Sequence, residues 1–522
     1  MEIAAPNIEY GLLMPFILVF AGACLGVLVE GFVPRASRRV AQLTIVYAAV
    51  AAALFMTLRN WRVHPPAVAA EGSVSVDGPT SFMWVILLIF GAISFLLIAD
   101  RTAENGASVF APQAAAVPGT AAETEAVRAG VEHTEVYPLA LFALSGMMLF
   151  PASADLITMF IALEILSLPL YVLCGLARRR RLLSQESSLK YFLLGAMSSA
   201  IYLYGAALLY GYAGSFDFSA IDTALRAGAG DSLLLLAGMA LVGVGLLFKF
   251  GAVPFHSWTP DVYAGAPTAI TAFMAACTKI AAIGALMRLF YVALGADRCD
   301  WQPVMAIIAV ATMAVGSVVA ISQTDVKRML AYSSIAHAGF LMTAFVGASQ
   351  ASSGSPAGGL TSVSSVMFYL VAYGAATLGA FAVITLVRDP SGEATLLSSW
   401  VGLGRRSPAA AVVFSVFMLS FAGIPLTSGF IGKWAVFAAA WNGGAEWLVV
   451  VAVVISVIAA FFYVRVIVLM FFSEPTDGPV AVIKPGASTL VAVGVAVVAT
   501  VALGLFPGPL LELAQAAGEF VR

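Results

Sequence analysis

Long apolar segments, separated by short polar stretches, run along the whole chain. A helix needs about 20 mostly apolar residues to cross roughly 30 Å of hydrocarbon. Segments of this kind predict fourteen transmembrane helices, at residues 11–33, 40–58, 79–99, 135–150, 153–176, 185–212, 232–262, 266–294, 303–322, 326–347, 361–387, 408–441, 445–472 and 487–507. Only the short stretch "PAS" separates the fourth from the fifth, which requires a tight hairpin. The pattern therefore predicts an all-α, polytopic membrane protein.

The composition agrees with this interpretation. The chain has 522 residues, of which 61% are hydrophobic and 10% charged, and its mean hydropathy is +0.98. A soluble domain is usually near a quarter charged. The net charge of −2 argues against a nucleic-acid surface. The four cysteines are scattered without a C-x-x-C pair, so neither a metal cluster nor a disulfide framework is indicated.

Basic residues are distributed unevenly over the predicted loops. If the N-terminus is outside, the inner connections hold fifteen of them: Arg35, Arg38, Arg39, Arg101, Arg128, Arg178, Arg179, Arg180, Arg181, Lys327, Arg328, Arg388, Arg405, Arg406 and Lys484. The outer connections hold five: Arg59, Arg62, Arg226, Arg298 and Arg522. Because Lys and Arg accumulate in cytoplasmic loops, the bias supports an even number of spans and predicts both termini on the outer face.

The remaining charges lie inside the predicted helices. The basic ones are Lys190, Lys249, Lys279, Arg288, Lys433 and Arg465, and the acidic ones are Glu30 and Glu164. A charge at the bilayer centre costs about 2.5 to 3.5 kcal/mol on insertion scales, so such residues face an interior, form pairs or line a water path. Several of them in one chain indicate an ion route. A static ion pair that only holds helices together is the alternative.

Depth separates these charges into two groups. Lys249 and Lys279 lie about 13 and 14 residues from the loop at 263–265, so each is roughly 20 Å from the inner face. Glu164 is also central in its helix. Three others, Arg288, Arg465 and Glu30, are within about two turns of a helix end, where snorkelling or capping accounts for a charge.

Lys190 can be interpreted in two ways. It follows Glu186 by one turn, which is typical of a solvated ion pair at the start of a helix. A place in the ion route is the alternative.

Two of the predicted helices are long and interrupted. The seventh contains "GAVPFHSW" around Pro254, and the twelfth contains "AGIPLTSGFIGKW" around Pro425. Matched broken helices in two halves of a membrane protein indicate a path for an ion or substrate. His256 lies in the first break and His337 in the tenth helix, and a histidine passes protons near neutral pH. A packing kink or a hydrogen-bonded core histidine would explain each feature alone.

Several stretches resemble a known family. They are "LEILSLPLYVL", "FKFGAVPFHSWTPDVYAGAPT", "TKIAAIGALMRLF", "QTDVKRMLAYSSIAHAGF" and "SFAGIPLTSGFIGKW". Together they are similar to the proton-translocating, antiporter-like membrane subunits of bacterial respiratory complex I, over about residues 135–475. The connection from Asp100 to Val131 is longer than this resemblance implies.

The resemblance implies a fold with two inverted five-helix repeats and broken helices 7 and 12. The repeats would be residues 135–294 and 303–472, after an N-terminal segment at 1–134 and before a C-terminal span at 473–522. It also implies a proton route through Glu164, Lys190, Lys249, Lys279, Lys433, His256 and His337. Glu164 would control the charge of Lys249, Lys279 would pass the proton sideways, and Lys433 would release it to the outer face.

The resemblance further implies that redox chemistry takes place elsewhere. The chain has no G-x-G-x-x-G after a strand, no P-loop and no clustered cysteines. NADH, flavin, iron–sulfur clusters and quinone would then belong to other subunits. Its partners would be further membrane-arm subunits, including antiporter-like ones, and the lipid bilayer. A Mrp-type cation/proton antiporter and an assembly scaffold are the alternative functions.

Overall fold

The computed structural model describes residues 8–104, 106–111, 120–129, 132–228, 230–348, 360–390, 392–474 and 480–521. The described part is predominantly helical, as expected. Part of the 100–134 connection, together with Arg522, lies outside the described residues.

In its described residues, the N-terminal segment contains three long α-helices and one short α-helix. They are α1 (Tyr10–Phe32), α2 (Arg35–Val63), α3 (Gly78–Ala99) and α4 (Ala121–Arg128). Strands β1 (Ala67–Ala69) and β2 (Val74–Val76) form an antiparallel hairpin before α3. The carboxylate of Asp77 caps α3 by accepting the backbone N–H of Thr80.

The next part contains the first broken helix. Its helices are α5 (Val136–Ala152), α6 (Leu156–Cys174), α7 (Arg181–Ala213), α8 (Phe218–Ala227), α9 (Ser232–Phe250), α10 (Trp258–Gly265), α11 (Thr268–Phe273) and α12 (Lys279–Arg288). Two π-helical turns, Met274–Thr278 and Leu289–Ala293, flank α12. The seventh predicted helix is interrupted between α9 and α10, as expected from Pro254.

The third part contains the second broken helix. Its helices are α13 (Arg298–Ile321), α14 (Val326–Val346), α15 (Ser362–Ile384), α16 (Leu403–Arg406), α17 (Pro408–Ala422), α18 (Ser428–Asn442), α19 (Glu446–Phe472), α20 (Ala487–Leu505) and α21 (Gly508–Ala516). The interruption between α17 and α18 falls around Pro425, as predicted. Strands β3 (Val387–Asp389), β4 (Gly392–Glu393) and β5 (Ala481–Val482) form a small sheet in the order β4-β3-β5.

In the described residues, twelve helical segments are long and apolar enough to cross a membrane. Two shorter apolar helices, Val136–Ala152 and Pro408–Ala422, overlap the fourth and twelfth predicted spans. The chain is thus a multi-pass membrane protein, and the count of fourteen spans stays a prediction. The segment Thr268–Ala293 is buried throughout, and α14 and α15 are almost completely buried. These three segments form the centre, where the candidate charges were expected.

Loops that the charge bias assigned to the inner side meet at one face of the protein. Glu104 pairs with Arg179 at 3.1 Å and with Arg388. Lys327 lies 3.9 Å from Glu393. These pairs join the connections after α3, α6, α13 and α15. We call this side of the protein the arginine-rich face.

Candidate functional site

Lys249 lies in the last turn of α9, directly before the first break. Its Nζ donates to the Oγ of Ser167 on α6 and to the hydroxyl of Tyr191 on α7, both at 2.8 Å. The ammonium also lies 5.0 Å from the centre of the Tyr191 ring. The side chain is buried. Two hydroxyls and an aromatic face therefore stabilise this cation without a direct ion pair.

Glu164 lies one turn before Ser167 on α6. It is thus close to the hydroxyl that Lys249 binds, but it forms no ion pair with Lys249 within 4.0 Å among the described residues. One carboxylate oxygen of Glu164, Oε1, is buried without a hydrogen-bond partner in the described part of the chain. A buried polar atom without a partner is costly, so this oxygen would gain from water or from a closer ammonium group.

Lys279 begins α12, directly after the π-helical turn Met274–Thr278. Its Nζ donates to the carbonyl of Ser334 on α14 at 2.7 Å and to that of Phe250 at 3.4 Å. Phe250 is the last residue of α9 and follows Lys249. The Lys279 ammonium therefore lies beside the end of α9 that carries Lys249. A π-helical turn often marks a functional position in a helix.

His337 lies one turn after Ser334 on α14, and it is completely buried. Its Nδ1 hydrogen-bonds with the hydroxyl of Tyr369, and its Nε2 with that of Tyr463 at 3.1 Å. The Tyr463 hydroxyl also forms a hydrogen bond with the Ser333 hydroxyl. Since a tyrosine hydroxyl can donate or accept, both ring nitrogens are joined to groups that can exchange protons.

Lys433 lies on α18, after the second break, and it reaches back across that break. Its Nζ donates to the carbonyls of Phe421 at 2.9 Å and Ala422 at 3.1 Å, and to the Oγ of Ser456 at 2.9 Å. These carbonyls end α17, where the helix dipole is negative. The Phe421 ring lies 5.6 Å from that of His337. The second break therefore adjoins His337.

These groups form a polar line across the centre of the protein. It runs from Glu164 through Lys249 and Lys279 to His337 and Lys433. Neighbouring groups in this line are connected through one turn of α6, through one turn of α14, or through the end of a broken helix. The sequence prediction identified all five residues. It missed the hydroxyls that hold them, those of Ser167, Tyr191, Tyr369, Tyr463 and Ser456.

Two predicted site residues lie apart from this line. Lys190 is partly exposed and pairs at 2.7 Å with Glu186 and with Asp261, whose other oxygen accepts from Arg328 at 2.7 Å. His256 is half-buried in the first break. In the described residues, no hydrogen bond joins its ring to the other candidates.

The charges set aside near helix ends have partners there. Arg465 donates to the carbonyl of Ile321 at the end of α13, and Glu30 accepts from Arg38 at 3.4 Å. Arg288 does not snorkel, but it donates to the carbonyl of Pro151 in the last turn of α5 at 2.6 Å, as a capping group does. Its guanidinium is buried and forms an ion pair with Asp77 at 2.8 Å. This partner could not be predicted from the sequence because the two residues are 211 positions apart.

Fold and site together define a multi-pass membrane protein with a line of buried lysines through its centre. Residues 153–459 match the family described as NADH:quinone oxidoreductase/Mrp antiporter, TM. The chain belongs to this family.

Individual relatives and solved structures show which members of the family the chain resembles. The chain is 57% identical to a protein of Nocardioides sp. named NADH-quinone oxidoreductase subunit N, and the alignment covers 100% of both. It is similar to a chain in the structure of respiratory complex I from Thermus thermophilus, with 32% identity, a TM-score of 0.76, and 97% and 100% of the two chains covered. A chain of the Mrp complex from Dietzia sp. shares the fold, with 21% identity, a TM-score of 0.78, and 98% and 97% coverage.

Proposed function

We propose that this chain is a proton-translocating membrane-arm subunit of an NADH:quinone oxidoreductase, that is, of complex I. Full-length relatives named NADH-quinone oxidoreductase subunit N support this assignment. The sequence "TPDVYAGAP" and the predicted number of spans also resemble that type of subunit. Electron transfer from NADH to quinone would drive the transport from other subunits.

One observation carries the proton-transfer part of the proposal. Lys249, Lys279 and Lys433 are buried, and each ammonium group is held by hydroxyl or carbonyl oxygens. In the described residues, none of the three has a carboxylate within 4.0 Å. Because no fixed anion balances the charge, burial favours the neutral amine and the hydroxyls favour the cation. Such lysines can alternate between the two states.

The geometry suggests an order of transfer. Glu164 would stabilise the proton on Lys249 when the two approach each other, and would promote its release when they separate. Lys279 would receive the proton beside Phe250 and pass it along α14 to His337. Lys433, which adjoins His337 through Phe421, would release it. Water molecules would bridge the gaps.

The surroundings of the chain are part of the proposal. Further membrane-arm subunits, including antiporter-like ones, would flank it in a bacterial plasma membrane, with both termini outside. The clustering of the arginine-rich loops at one face supports this orientation. NADH, flavin, iron–sulfur clusters and quinone would be held by other subunits.

A Mrp-type cation/proton antiporter is the second candidate. Its support is the shared fold with the Mrp complex of Dietzia sp.. At 21% identity this likeness concerns the fold alone, whereas the relatives of subunit N type match at 50–57%.

Gentle solubilisation followed by a native gel separates the two functions. Co-migration of this chain with NADH dehydrogenase activity is expected for complex I. Migration with other antiporter-like subunits, without NADH activity, would contradict the proposal and favour the cation/proton exchanger.

A further inference from the structure

An apolar cavity lies between α3, α15 and α20, away from the polar line. Its volume is about 150 Å³, and its lining is entirely apolar. Residues from all three helices contribute, among them Ile86, Ile93, Ala375, Leu378, Val495 and Ala499. A cavity of this size and lining stays dry and accepts hydrocarbon guests. Its two most exposed lining residues, Ile89 and Val495, place its opening on the outer surface of the helix bundle.

The cavity is a local feature and does not reflect loose packing of α15. A Cβ added at Gly374 would lie 2.3 Å from the Phe90 ring, and one at Gly379 would lie 2.2 Å from the Phe417 ring. The helix is therefore tightly packed around both glycines. The space exists because small residues, such as Ala375 and Ala499, stand where larger side chains would fill it.

A second, basic cavity lies at the ends of the same three helices, at the arginine-rich face. Its lining includes Asp100 after α3, Thr385 after α15 and Thr489 in α20. Between Leu378 and Thr385 there are seven residues of helix, or about 10 Å. The headgroup region of a bilayer is about 5 to 8 Å thick on each side. The spacing of the two cavities thus matches that between a lipid phosphate and the upper part of its acyl chain.

The basic cavity carries a net positive charge. Five basic and three acidic side chains line it. The acids are all engaged: Asp100 accepts from Thr489, Glu104 pairs with Arg179 and Arg388, and Glu393 accepts from Thr268. By contrast, the Arg178 guanidinium makes only one hydrogen bond in the described part of the chain, a long contact of 3.5 Å with the carbonyl of Ser108. Arg178 is therefore available for an anion.

We infer that an anionic phospholipid binds along α3, α15 and α20. One acyl chain fills the apolar cavity, and the phosphate lies against Arg178 in the basic cavity. A basic pocket between transmembrane helices on the cytoplasmic side is a usual site for an anionic headgroup. The site is separate from the residues proposed for proton transfer, so it can be tested independently of that function.

The experiment uses the purified complex and a phosphatidylglycerol probe that carries a photoreactive diazirine in its acyl chain. Mass spectrometry of the digested chain is expected to find the label on residues 86–93, 371–378 and 495–499. Unlabelled phosphatidylglycerol should compete, and phosphatidylcholine should not. Equal competition by phosphatidylcholine, displacement by a quinone or by inorganic phosphate, or no label in these segments would overturn the inference.

Two variants and a control locate the two ends of the lipid. Ala499→Phe fills the apolar cavity and should abolish the labelling. Val498→Phe adds the same ring one position earlier, at a residue that is 66% exposed and does not line the cavity, and should leave the labelling unchanged. Arg178→Gln should weaken competition by phosphatidylglycerol about fivefold, as expected for the loss of one interfacial cation. Labelling that survives Ala499→Phe, or competition by phosphatidylglycerol that Arg178→Gln leaves unchanged, would contradict the site.

Discussion

The two broken helices hold their lysines in different ways. At the first break, Lys249 precedes the interruption and binds two hydroxyls on neighbouring helices. At the second, Lys433 follows the interruption and binds the carbonyls that end α17. A hydroxyl can turn and exchange donor for acceptor, whereas a helix-end carbonyl is a fixed acceptor. The first lysine therefore has hydroxyl partners, which can adjust, whereas the second is held mainly by fixed carbonyls, with the Ser456 hydroxyl as its third partner.

This difference suggests that the two lysines have different roles in proton transfer. Glu164, the only acid placed in the route, lies near the adjustable lysine, so control would be exerted there. The fixed dipole at the end of α17 holds the charge of Lys433 at a constant strength. Proton release from Lys433 then depends on the transfer of a further proton from His337.

The largest effect is expected for Lys433→Met. It removes the transferable proton and leaves the carbonyls of Phe421 and Ala422 without their donor. Proton uptake by inverted vesicles driven by NADH should fall about 10²-fold, as is usual when a positioned proton-transfer group is lost. Lys484→Met, at an exposed basic residue, is the matched control and should transport normally. Normal uptake by Lys433→Met would exclude Lys433 from the route.

A smaller effect is expected for Glu164→Gln. Lys249 keeps its two hydroxyl partners, but the carboxylate that biases its charge is gone. Proton uptake should fall about five- to tenfold, the range of a modest coupling free energy. Glu186→Gln changes an exposed acid whose partner Lys190 also has Asp261, so it should behave like the wild type. An equal loss of proton uptake in the two variants would show that Glu164 has no specific role in the transfer.

A pair of glycines compares the two breaks directly. Gly251 and Gly423 end α9 and α17, both at φ +79°. Alanine at either position should lower the free energy of unfolding by about 1 kcal/mol because of its left-handed conformation. At Gly423 the new Cβ would also lie 3.0 Å from the Lys433 side chain, whereas at Gly251 it would meet only Thr259. Thermal denaturation should therefore respond to both variants, and proton uptake more strongly to Gly423→Ala. The reverse order would contradict the comparison.

The smallest effect is expected for His256→Gln. This half-buried side chain lies in the first break, apart from the polar line. His337→Gln, in contrast, removes a ring bonded to Tyr369 and Tyr463 and should slow proton uptake. Parallel measurements on inverted vesicles compare the two. If His256→Gln lowered proton uptake more than His337→Gln does, His256 would belong to the proton route.

The sequence was sufficient to locate the buried charges and both breaks. A lysine or histidine in an apolar helix is costly, so it stands out without any knowledge of the fold, and Pro254 and Pro425 mark the interruptions. The partners of these residues could not be predicted. Tyr191 and Tyr463 look like ordinary aromatic residues until packing brings them to Lys249 and His337. The pairing of Arg288 with Asp77 likewise depends on the tertiary structure.

The most direct test of the proton route is the number of protons moved per electron by assembled complex carrying Lys249→Met. Loss of the proton from this adjustable position should lower that ratio, while the complex still assembles and co-migrates with NADH dehydrogenase activity. An unchanged ratio in a fully assembled complex would show that Lys249 does not carry the transported proton, and it would contradict the account.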